Sequence, residues 1–408
     1  MFILEAPYAS DLMLDWLEGS QHPVLENGFA RQLVDQGRCL NLVDDEAAIQ
    51  RANAGERVYS SSENGLAWVV ENVRNENLLR CIRLCKDKAE TRRALAGIDT
   101  AHFFLECTMD ELLSIDPTSL SFPLVVKPAV GFISFGVHVI PTADAWDGVI
   151  SQFKSEMERG SVHPESVVGT GRFVLEGYLS GQEYAVDIYF DAQGMPVILN
   201  IMQHDFRDVS DTSDHLYFTG KDIIERAEPH LRAWFERANE VFGFRDFCAH
   251  VELRVSHAEG EDPICAMADI ANVHAIELNP LRFAGFCGTD MGYYAFGIRT
   301  YEYFLNDQRP DWEAIFSDDY PDAVTAMSVL DAPAGWHAGC AIDFDAIECA
   351  MTAGGTLENI FELRKLDPDV HGVSCFPLYR IPEGHAGERI RDFVLNFNAD
   401  EFLIEPSA

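Results

Sequence analysis

Two acidic residues and one amide lie on neighbouring predicted strands, and together they could hold a divalent cation. Residues 247–255 predict a strand because polar and apolar residues alternate along it, with Glu252 on the polar side. A second predicted strand, 273–279, places Glu277 and Asn279 on one face. If these strands pair, the carboxylates repel each other unless a cation lies between them, and oxygen ligands of this kind suit Mg²⁺ or Mn²⁺. The alternative is that both acids are solvated strand residues.

An arginine and a histidine lie close to this acidic group in the sequence. Arg282 lies three residues beyond the second strand, so its guanidinium could hold a phosphoryl group during transfer. His250 shares the polar face of the first strand and could orient a substrate or accept a proton from an amine. The alternative for His250 is a hydrogen-bonded strand histidine. Strict alternation predicts that His274 faces away from Glu277 and is structural.

A lysine at the end of a predicted strand precedes a glycine-rich loop. The strand covers 123–127 and ends at Lys127, the loop covers 129–136, and a β-branched strand covers 137–140. A P-loop would need a helix after the glycines, and the dinucleotide fingerprint GxGxxG is missing, so both common nucleotide folds are unfavoured. Strand, loop and strand instead predict a hairpin flap whose backbone N–H groups suit an anion. The alternative is that Lys127 merely ends a surface strand.

Strands and helices alternate in the first 85 residues, which predicts a small open α/β unit. A basic helical stretch follows at 78–96, and a polar segment at 204–221 predicts a long loop, which at that length is often functional. Residues 60–64 are predicted to form a simple turn, with a place lining the site as the alternative. The remaining predicted elements are strand 1–4, helix 11–17, strand 37–43, helix 66–73, strands 173–179, 183–190 and 197–202, and helix 228–242.

Five segments occur in the order and spacing of the ATP-grasp superfamily, which the chain resembles over about residues 78–305. The resemblance implies an α/β (α+β) ATP-grasp fold. It divides the chain into a small N-terminal open α/β domain at 1–85, an ATP-grasp domain at 86–310 with an antiparallel-sheet flap at about 119–178, and a C-terminal α+β extension at 311–408. The five segments are Lys86–Lys88, Leu124–Val137, Leu175–Glu183, His250–Glu252 and Glu277–Gly285.

The resemblance also implies a role for individual residues. The flap carries Phe132, Ile133 and Phe135 where smaller residues are common, so its tip is expected to be stiffer and less open. In chain order, Lys88 and Lys127 are expected to contact ATP phosphates, Ser134 and Gly136 to contact ATP from the flap, Glu176, Gly177 and Leu179 to form the linker that meets adenine, Glu183 to bind the ribose hydroxyls, Glu252, Glu277 and Asn279 to bind magnesium, and Arg282 to hold the γ-phosphate or an acyl phosphate.

Within the superfamily, the pattern resembles the L-amino acid ligases. The leading hypothesis is therefore an ATP-dependent, ADP-forming ligase that joins a small carboxylate, an amino acid by preference, to an amine through an acyl phosphate. ATP and Mg²⁺ (or Mn²⁺) are the implied cofactors. Two alternatives stay open, namely a bicarbonate-dependent carboxylase of the same fold and a non-catalytic nucleotide-binding regulatory protein. The sequence does not identify the two substrates.

The charge balance narrows the choice of partners. With 67 acidic and 30 basic residues the formal net charge is −37, which disfavours nucleic acid and anionic membranes. The first twenty residues carry no Lys or Arg, which argues against a secretory signal and favours the cytoplasm. The ten cysteines form no CxxC pair and are predicted to be buried free thiols. Dimers are common in the superfamily, so a homodimer is an open alternative.

Overall fold

The computed structural model describes residues 1–100, 102–131, 136–160, 171–207, 215–317, 320, 324–337, 339–352, 360–381 and 385–405. It is a mixed helix and strand architecture, in agreement with the predicted fold class. Three sheets carry most of the strands, and each lies next to helices that cover its apolar side.

The leading part of the chain folds into a four-stranded parallel sheet in the order β3-β2-β1-β4. Ser10, Asn27 and Asp44 each follow a strand and cap the next helix with a side-chain oxygen. The predicted strand at 37–43 begins only at Asn41. The elements are Phe2–Ile3 (β1), Asp11–Ser20 (α1), Pro23–Leu25 (β2), Gly28–Asp35 (α2), Asn41–Val43 (β3), Asp45–Asn53 (α3), Tyr59–Ser60 (β4) and Gly65–Asn72 (α4).

The basic stretch predicted as one helix forms two, Glu76–Lys86 (α5) and Lys88–Leu95 (α6). Asp87 separates them because its backbone is extended and its carboxylate accepts from the amides of Ala89 and Glu90 at the start of α6. The break places Lys88 in the first turn of α6, where its amide donates to the Ala129 carbonyl. Lys88 is thereby fixed beside the predicted flap strand.

The flap is a four-stranded antiparallel sheet in the order β5-β8-β6-β7. One face packs against α8 through Trp146, Phe153 and Phe173. The loop tip at 132–135 lies outside the described residues. The elements are Phe104–Cys107 (β5), Met109–Ser114 (α7), Leu124–Pro128 (β6), His138–Ile140 (β7), Trp146–Gly160 (α8) and Phe173–Gly177 (β8).

The largest sheet runs in the order β13-β12-β9-β10-β11-β14-β18-β15, with β17 also pairing with β18. The long helix α9 covers one face with Leu231, Trp234 and Phe235. The elements are Gln182–Phe190 (β9), Pro196–Asp205 (β10), Leu216–Thr219 (β11), Lys221–Phe242 (α9), Phe247–Val255 (β12), Pro263–Ala266 (α10), Val273–Pro280 (β13), Met291–Phe296 (α11), Thr300–Leu305 (α12), Trp312–Ile315 (α13), Val324–Ser328 (β14) and Leu330–Asp331 (β15).

The prediction of a loop over residues 204–221 is wrong at both ends of that range. Strand β10 continues to Asp205, and Leu216–Thr219 forms β11 between β10 and β14. Residues 208–214 lie outside the described residues. The predicted helix at 228–242 also starts earlier, at Lys221. Apolar residues at 216 and 218 pack in the core, and their burial stabilises a short strand. The polar residues around this strand led to the prediction of a loop.

The last part of the chain adds strands to the large sheet and a small separate ribbon. Strand β17 extends the large sheet through β18, whereas β16 and β19 pair with each other. Of the helices described, none has the length and apolar character needed to cross a bilayer. The elements are Ala341–Ile342 (β16), Phe344–Thr352 (α14), Ile360–Lys365 (β17), Pro368–His371 (α15), Val373–Ile381 (β18), His385–Leu395 (α16) and Leu403–Ile404 (β19).

Candidate active site

Polar side chains occupy the face of the large sheet opposite α9. Directly paired residues of antiparallel strands lie on the same face, so the strand register groups these side chains into rows. Within the described residues, the apolar alternates on β9 and β12 belong to the core against α9. The three rows are His274, Arg254, Glu183 and His204; then Glu277, Glu252 and Ala185; then Asn279, His250, Asp187 and Asn200.

The middle row holds the predicted cation ligands. Glu252 and Glu277 are direct cross-strand partners, and the Asn279 Nδ2 lies 3.5 Å from the Glu252 Oε1. The Lys88 ammonium donates to the Glu277 Oε1 at 2.9 Å. Burial would raise the pKa of Glu277, but the nearby charge of Lys88 lowers it to about 2. Two carboxylates and one amide oxygen form a donor set that fits Mg²⁺ or Mn²⁺.

A β-bulge corrects the prediction for His274. The register shifts between Glu252 and Leu253, so Ile276 is an extra residue in β13. His274 therefore pairs with Arg254 and lies on the same face as Glu277, not on the opposite one. Its Nδ1 lies 2.8 Å from the Asp99 carboxylate. The predicted orientation was wrong because a bulge changes the parity of the strand without an evident sequence signal.

Lys127 is buried at the base of the flap, so the alternative that it ends a surface strand is wrong. Its ammonium lies 2.6 Å from the Glu176 Oε1, and Arg92 of α6 donates to both oxygens of the same carboxylate at 2.6 and 3.1 Å. Despite burial, these two cations hold the pKa of Glu176 well below its usual value. Burial lowers the pKa of Lys127. Arg92 is a residue that the sequence placed only in a general basic stretch.

The linker between the flap and the large sheet borders a cavity of about 470 Å³. The Gly177 amide donates to the Phe103 carbonyl at 2.9 Å, and the Tyr178 amide donates to the Pro123 carbonyl at 3.1 Å. These bonds fix the path of the backbone on which Leu179 lies. The cavity is lined by His102, Phe103, Ser119, Leu120, Ser121, Phe122, Pro123, Leu124, Gly177, Tyr178, Leu179 and His274.

Glu183, predicted to bind ribose, has two partners from the same face of the sheet. The His204 Nδ1 lies 2.8 Å from its Oε1, and Arg254 pairs with its Oε2. Although burial opposes ionisation, His204 and Arg254 lower the pKa of Glu183. A carboxylate has further lone pairs, so ribose hydroxyls could still bind beside these partners.

Of the two flap residues predicted to contact ATP, Gly136 donates its amide to the Glu156 Oε1 at 3.3 Å. Ser134 lies outside the described residues. The amide of Gly136 is thus engaged by the flap's own helix α8.

Arg282 lies where the leading sheet meets the large sheet. Its Nη1 donates to the Phe283 carbonyl at 3.0 Å, and its Nη2 lies 3.8 Å from the Glu63 carboxylate. Glu63 also forms an ion pair with Lys86. The Ser60 amide donates to the Leu281 carbonyl at 2.7 Å. Segment 60–64 therefore reaches the predicted phosphate end of the site, which supports the lining alternative over a simple turn.

A buried aspartate holds His250 in place. The Asp187 Oδ1 lies 2.7 Å from the His250 Nδ1 and accepts from the Ala284 amide at 3.0 Å, while its Oδ2 accepts from the Thr289 hydroxyl at 2.9 Å. The other ring nitrogen of His250 lies 3.9 Å from the Glu252 Oε1. Asp187 was not proposed from the sequence, although its place on the polar side of an alternating strand was a usable signal.

A second polar group comes from the C-terminal part, in which the sequence showed no motif. Arg364 is buried between Asp290 at 2.8 Å and Glu362 at 2.9 Å. The Tyr8 hydroxyl donates to the Glu362 Oε1 at 2.8 Å. Asp290 directly follows Thr289, the partner of Asp187, so the C-terminal strand β17 lies close to the His250 row.

Aromatic rings pack beside this second polar group. Tyr294 and Phe361 stack with centroids 4.7 Å apart, and Phe286 stacks on Phe376 at 4.8 Å. These rings adjoin the apolar cluster that contains Ala185, a residue of the Glu252 row. The site thus has a cationic end at the flap and an aromatic, acidic end at β17.

The family model for an ATP-grasp domain matches residues 120–290. The chain therefore carries an ATP-grasp domain, which confirms both the resemblance drawn from its motifs and the predicted ATP-grasp fold.

The chain is also similar to individual ligases and to a carboxylase. A D-alanine–D-alanine ligase of Hydrogenovibrio crunogenus is 25% identical over 171 residues, which are 40% of this chain and 49% of that enzyme. The chain thus matches about half of that relative's length. A solved L-amino acid ligase from Bacillus licheniformis superimposes with a TM-score of 0.64 at 17% identity, covering 100% of this chain and 98% of that one. A biotin carboxylase from Campylobacter jejuni gives 0.60 at 10% identity, with 99% and 91% covered.

Proposed function

We propose that the protein is an ATP-dependent, ADP-forming ligase that joins the carboxylate of a small molecule to an amine. The observation that carries the proposal is the pairing of Glu252 with Glu277 across two strands, with the Lys88 ammonium 2.9 Å from Glu277. Carboxylates that can bind a metal ion, next to a lysine that can move to a phosphate, suit a bound nucleoside triphosphate. The likeness to a D-alanine–D-alanine ligase and to an L-amino acid ligase supports the same chemistry.

ATP is proposed to lie between the flap and the large sheet. The backbone of Glu176–Leu179 meets the adenine, Glu183 meets the ribose, and Lys127 and Lys88 approach the phosphates. Lys88 would exchange its bond to Glu277 for a phosphate oxygen, and Glu252, Glu277 and Asn279 are the residues that would hold magnesium. Magnesium, when bound, neutralises charge on the phosphates during transfer. A neighbour of the same fold, the biotin carboxylase, was solved as a complex with β,γ-ATP.

The reaction proceeds in two displacements. An oxygen of the substrate carboxylate attacks the γ-phosphorus, the bond to the β-phosphate oxygen breaks, and ADP leaves. The amine nitrogen then attacks the acyl carbon, the acyl–oxygen bond breaks, inorganic phosphate leaves, and the nitrogen loses a proton. Arg282 holds the phosphoryl group, and Asp187 orients His250 beside the reacting centre.

The amine substrate is proposed to enter at the β17 end of the site. Glu362 is a partly exposed carboxylate whose two oxygens accept from Tyr8 and Arg364, so its orientation is fixed. A fixed anion beside stacked rings suits an ammonium group that carries an apolar substituent. An amino acid or a small peptide has this character, and an amino acid is the proposed carboxylate donor as well.

A phosphate-release assay tests the proposal. Purified protein receives ATP and Mg²⁺ with pooled amino acids, with bicarbonate alone, or with nothing further. Phosphate release that requires amino acids, together with an amide product found by mass spectrometry, supports the ligase. Release with bicarbonate alone would indicate a carboxylase, and ATP binding without release under any condition would indicate a regulatory protein.

Glu252→Gln tests the proposed role of Glu252 as a metal ligand. Removing one ligand charge is expected to lower kcat about 100-fold or more, as for loss of one charge-stabilising group in other active sites. Glu259→Gln removes an exposed carboxylate nearby in sequence and serves as the control, with activity expected to stay at the parental level. Equal activity of both variants would remove Glu252 from the mechanism.

A further inference from the structure

A histidine, a cysteine and a glutamate converge on the C-terminal ribbon formed by β16 and β19. Antiparallel pairing places Ala341 opposite Ile404, so the next positions outward are Cys340 and Glu405. His337 joins them through a turn in which the Cys340 amide donates to the His337 carbonyl at 3.1 Å. All three side chains lie within reach of one another and belong to no part of the ligase site.

The three donor atoms lie at separations that tetrahedral metal ligands would have. The His337 Nε2 lies 3.3 Å from the Cys340 Sγ and 3.3 Å from the Glu405 Oε2, and the Sγ lies 3.6 Å from that Oε2. For Zn²⁺ held at about 2.0–2.3 Å, neighbouring tetrahedral ligands stand about 3.3–3.8 Å apart. The three observed separations fall in this range. The imidazole is half exposed and can turn its ring nitrogen toward an ion without moving the backbone.

Hydrogen bonds outside the cluster hold the two segments that carry these ligands. The Trp336 indole donates to Asp369 at 2.8 Å, next to His337, and the Gly335 amide donates to Asp400 at 3.1 Å. Pairing of β16 with β19 holds Cys340 and Glu405 together although they are 65 residues apart in sequence. Contacts outside the cluster therefore hold the two segments, so the closeness of the three side chains does not depend on their own flexible conformations alone.

We infer that His337, Cys340 and Glu405 bind one zinc-class divalent cation, with water as the fourth ligand, and that the ion clamps the C-terminal ribbon. Nitrogen, sulfur and oxygen ligands together favour Zn²⁺ or Co²⁺ over Mg²⁺, which prefers oxygen alone. The site therefore does not compete for the magnesium of the ligase reaction.

The cysteines differ in exposure, and Cys340 is accessible to an ion from solvent. The prediction that the cysteines are buried free thiols is confirmed for Cys81, Cys85 and others but is wrong for Cys340, which is partly exposed, and for the exposed Cys39, Cys265 and Cys349.

The test uses the full chain, stripped of metal and kept in excess Mg²⁺. Titration with Co²⁺ is expected to produce a thiolate-to-cobalt charge-transfer absorption that saturates at one ion per chain and is removed by Zn²⁺. Cys340→Ser and His337→Asn are expected to abolish the absorption or to weaken Co²⁺ binding at least tenfold. Cys349→Ser, which removes an exposed free thiol on α14, is expected to retain it.

Two results would overturn the inference. One is the absence of the absorption in the parental chain at a saturating Co²⁺ concentration. The other is its persistence in Cys340→Ser, or its loss to the same degree in Cys349→Ser. Phosphate release by Cys340→Ser is expected to equal that of the parental chain, so failure of the ligase proposal and failure of the zinc inference are read from separate measurements.

Discussion

The cationic groups of the site are each held by a carboxylate that a ligand could replace or join. Lys88 binds Glu277, Lys127 and Arg92 bind Glu176, and Arg282 lies near Glu63. A buried charge without a partner is costly, so these pairs keep the cleft stable before substrates enter. Phosphate oxygens offer a stronger anion to the same lysines. Under the proposed function, nucleotide binding is therefore an exchange of partners for these cations.

Glu362→Gln tests the amine end of the site. Loss of the carboxylate charge is expected to raise KM for the amine at least tenfold, about 1.4 kcal/mol, while KM for ATP is expected to stay unchanged because ATP is proposed to lie at the flap end. Initial-rate kinetics with each substrate varied in turn measure both constants.

Tyr8→Phe is the control for Glu362→Gln. It removes one hydrogen bond to Glu362 but leaves the carboxylate charge that attracts the ammonium group in place, so KM for the amine is expected to change less than about fivefold, below the effect of Glu362→Gln. A larger effect of Tyr8→Phe than of Glu362→Gln would mean that the hydroxyl, not the carboxylate charge, recognises the amine.

At the residue scale, sequence patterns predicted side chains that lie close together on one or two strands. Alternation placed Glu252, Glu277 and Asn279 on one face, and the structure brings them together there. Arg92, Glu63 and Glu362 were not assigned, because their importance depends on contacts between segments far apart in the chain. Such contacts leave no periodic signal in the sequence.

At the element scale, the linker is shaped by one glycine. Gly181 has φ +119°, and a Cβ built there would clash with the Val255 carbonyl oxygen at the end of β12. Only glycine fits both the backbone conformation and this contact. Because Leu179 and Glu183 flank Gly181, the close approach sets the position of the predicted adenine and ribose contacts.

Gly181→Ala is therefore expected to displace the linker. The expected result is a rise of at least tenfold in the Kd for ATP, together with a stability loss of more than about 1 kcal/mol, the usual range for strain plus a steric clash. Nucleotide titration by calorimetry and urea unfolding measure the two effects.

Gly260→Ala is the control that separates backbone strain from the steric clash expected in Gly181→Ala. Gly260 also has a positive φ, +78°, but a Cβ at this position would meet nothing within 4 Å, so the substitution introduces the strain without the clash. The Kd of this variant for ATP is expected to equal the parental value. If both variants bind ATP alike, the approach of Gly181 to Val255 does not position the nucleotide.

The boundaries of helices and strands were predicted correctly only where local sequence signals agree. The strand at 247–255 was predicted to the residue, because alternation and burial agree along its whole length. The helix pair divided by Asp87 was predicted as one helix, since a capping aspartate within a basic run resembles an ordinary helical residue. Likewise, the segment around Arg282 has three non-glycine residues with positive φ, at 281, 286 and 287, which sequence preference disfavours.

At the scale of the whole molecule, parts from the entire chain build one cleft. Arg57 joins the leading sheet to the rest through bonds to Asp246 at 2.9 Å, to the Phe304 carbonyl at 2.5 Å and to Asp307 at 2.9 Å. The site then takes Glu63 from the leading part, Lys127 from the flap and Glu362 from the C-terminal part. No single segment carries the proposed activity.

The net charge of −37 sets a further property of the whole molecule. Like charges over the surface repel one another and destabilise the compact state, and salt screens this repulsion as the Debye length falls from about 30 Å at 0.01 M to about 3 Å at 1 M. Exposed ion pairs weaken with salt as well, but each contributes only about 0–1 kcal/mol. Repulsion is expected to prevail because acidic residues outnumber basic ones by 37, that is 67 against 30.

Unfolding in urea, a neutral denaturant, at about 0.01 to 0.5 M NaCl tests this balance. The urea midpoint is expected to rise with NaCl, by an amount equivalent to about 1 kcal/mol or more against a typical total of about 5–15 kcal/mol. A triple variant, Asp35→Asn, Glu71→Gln and Glu259→Gln, removes three exposed charges and is expected to have a higher midpoint at low salt and a weaker salt dependence. A midpoint that falls with NaCl would show that ion pairs such as those of Arg57, and not the excess of acidic charge, dominate the electrostatics of folding.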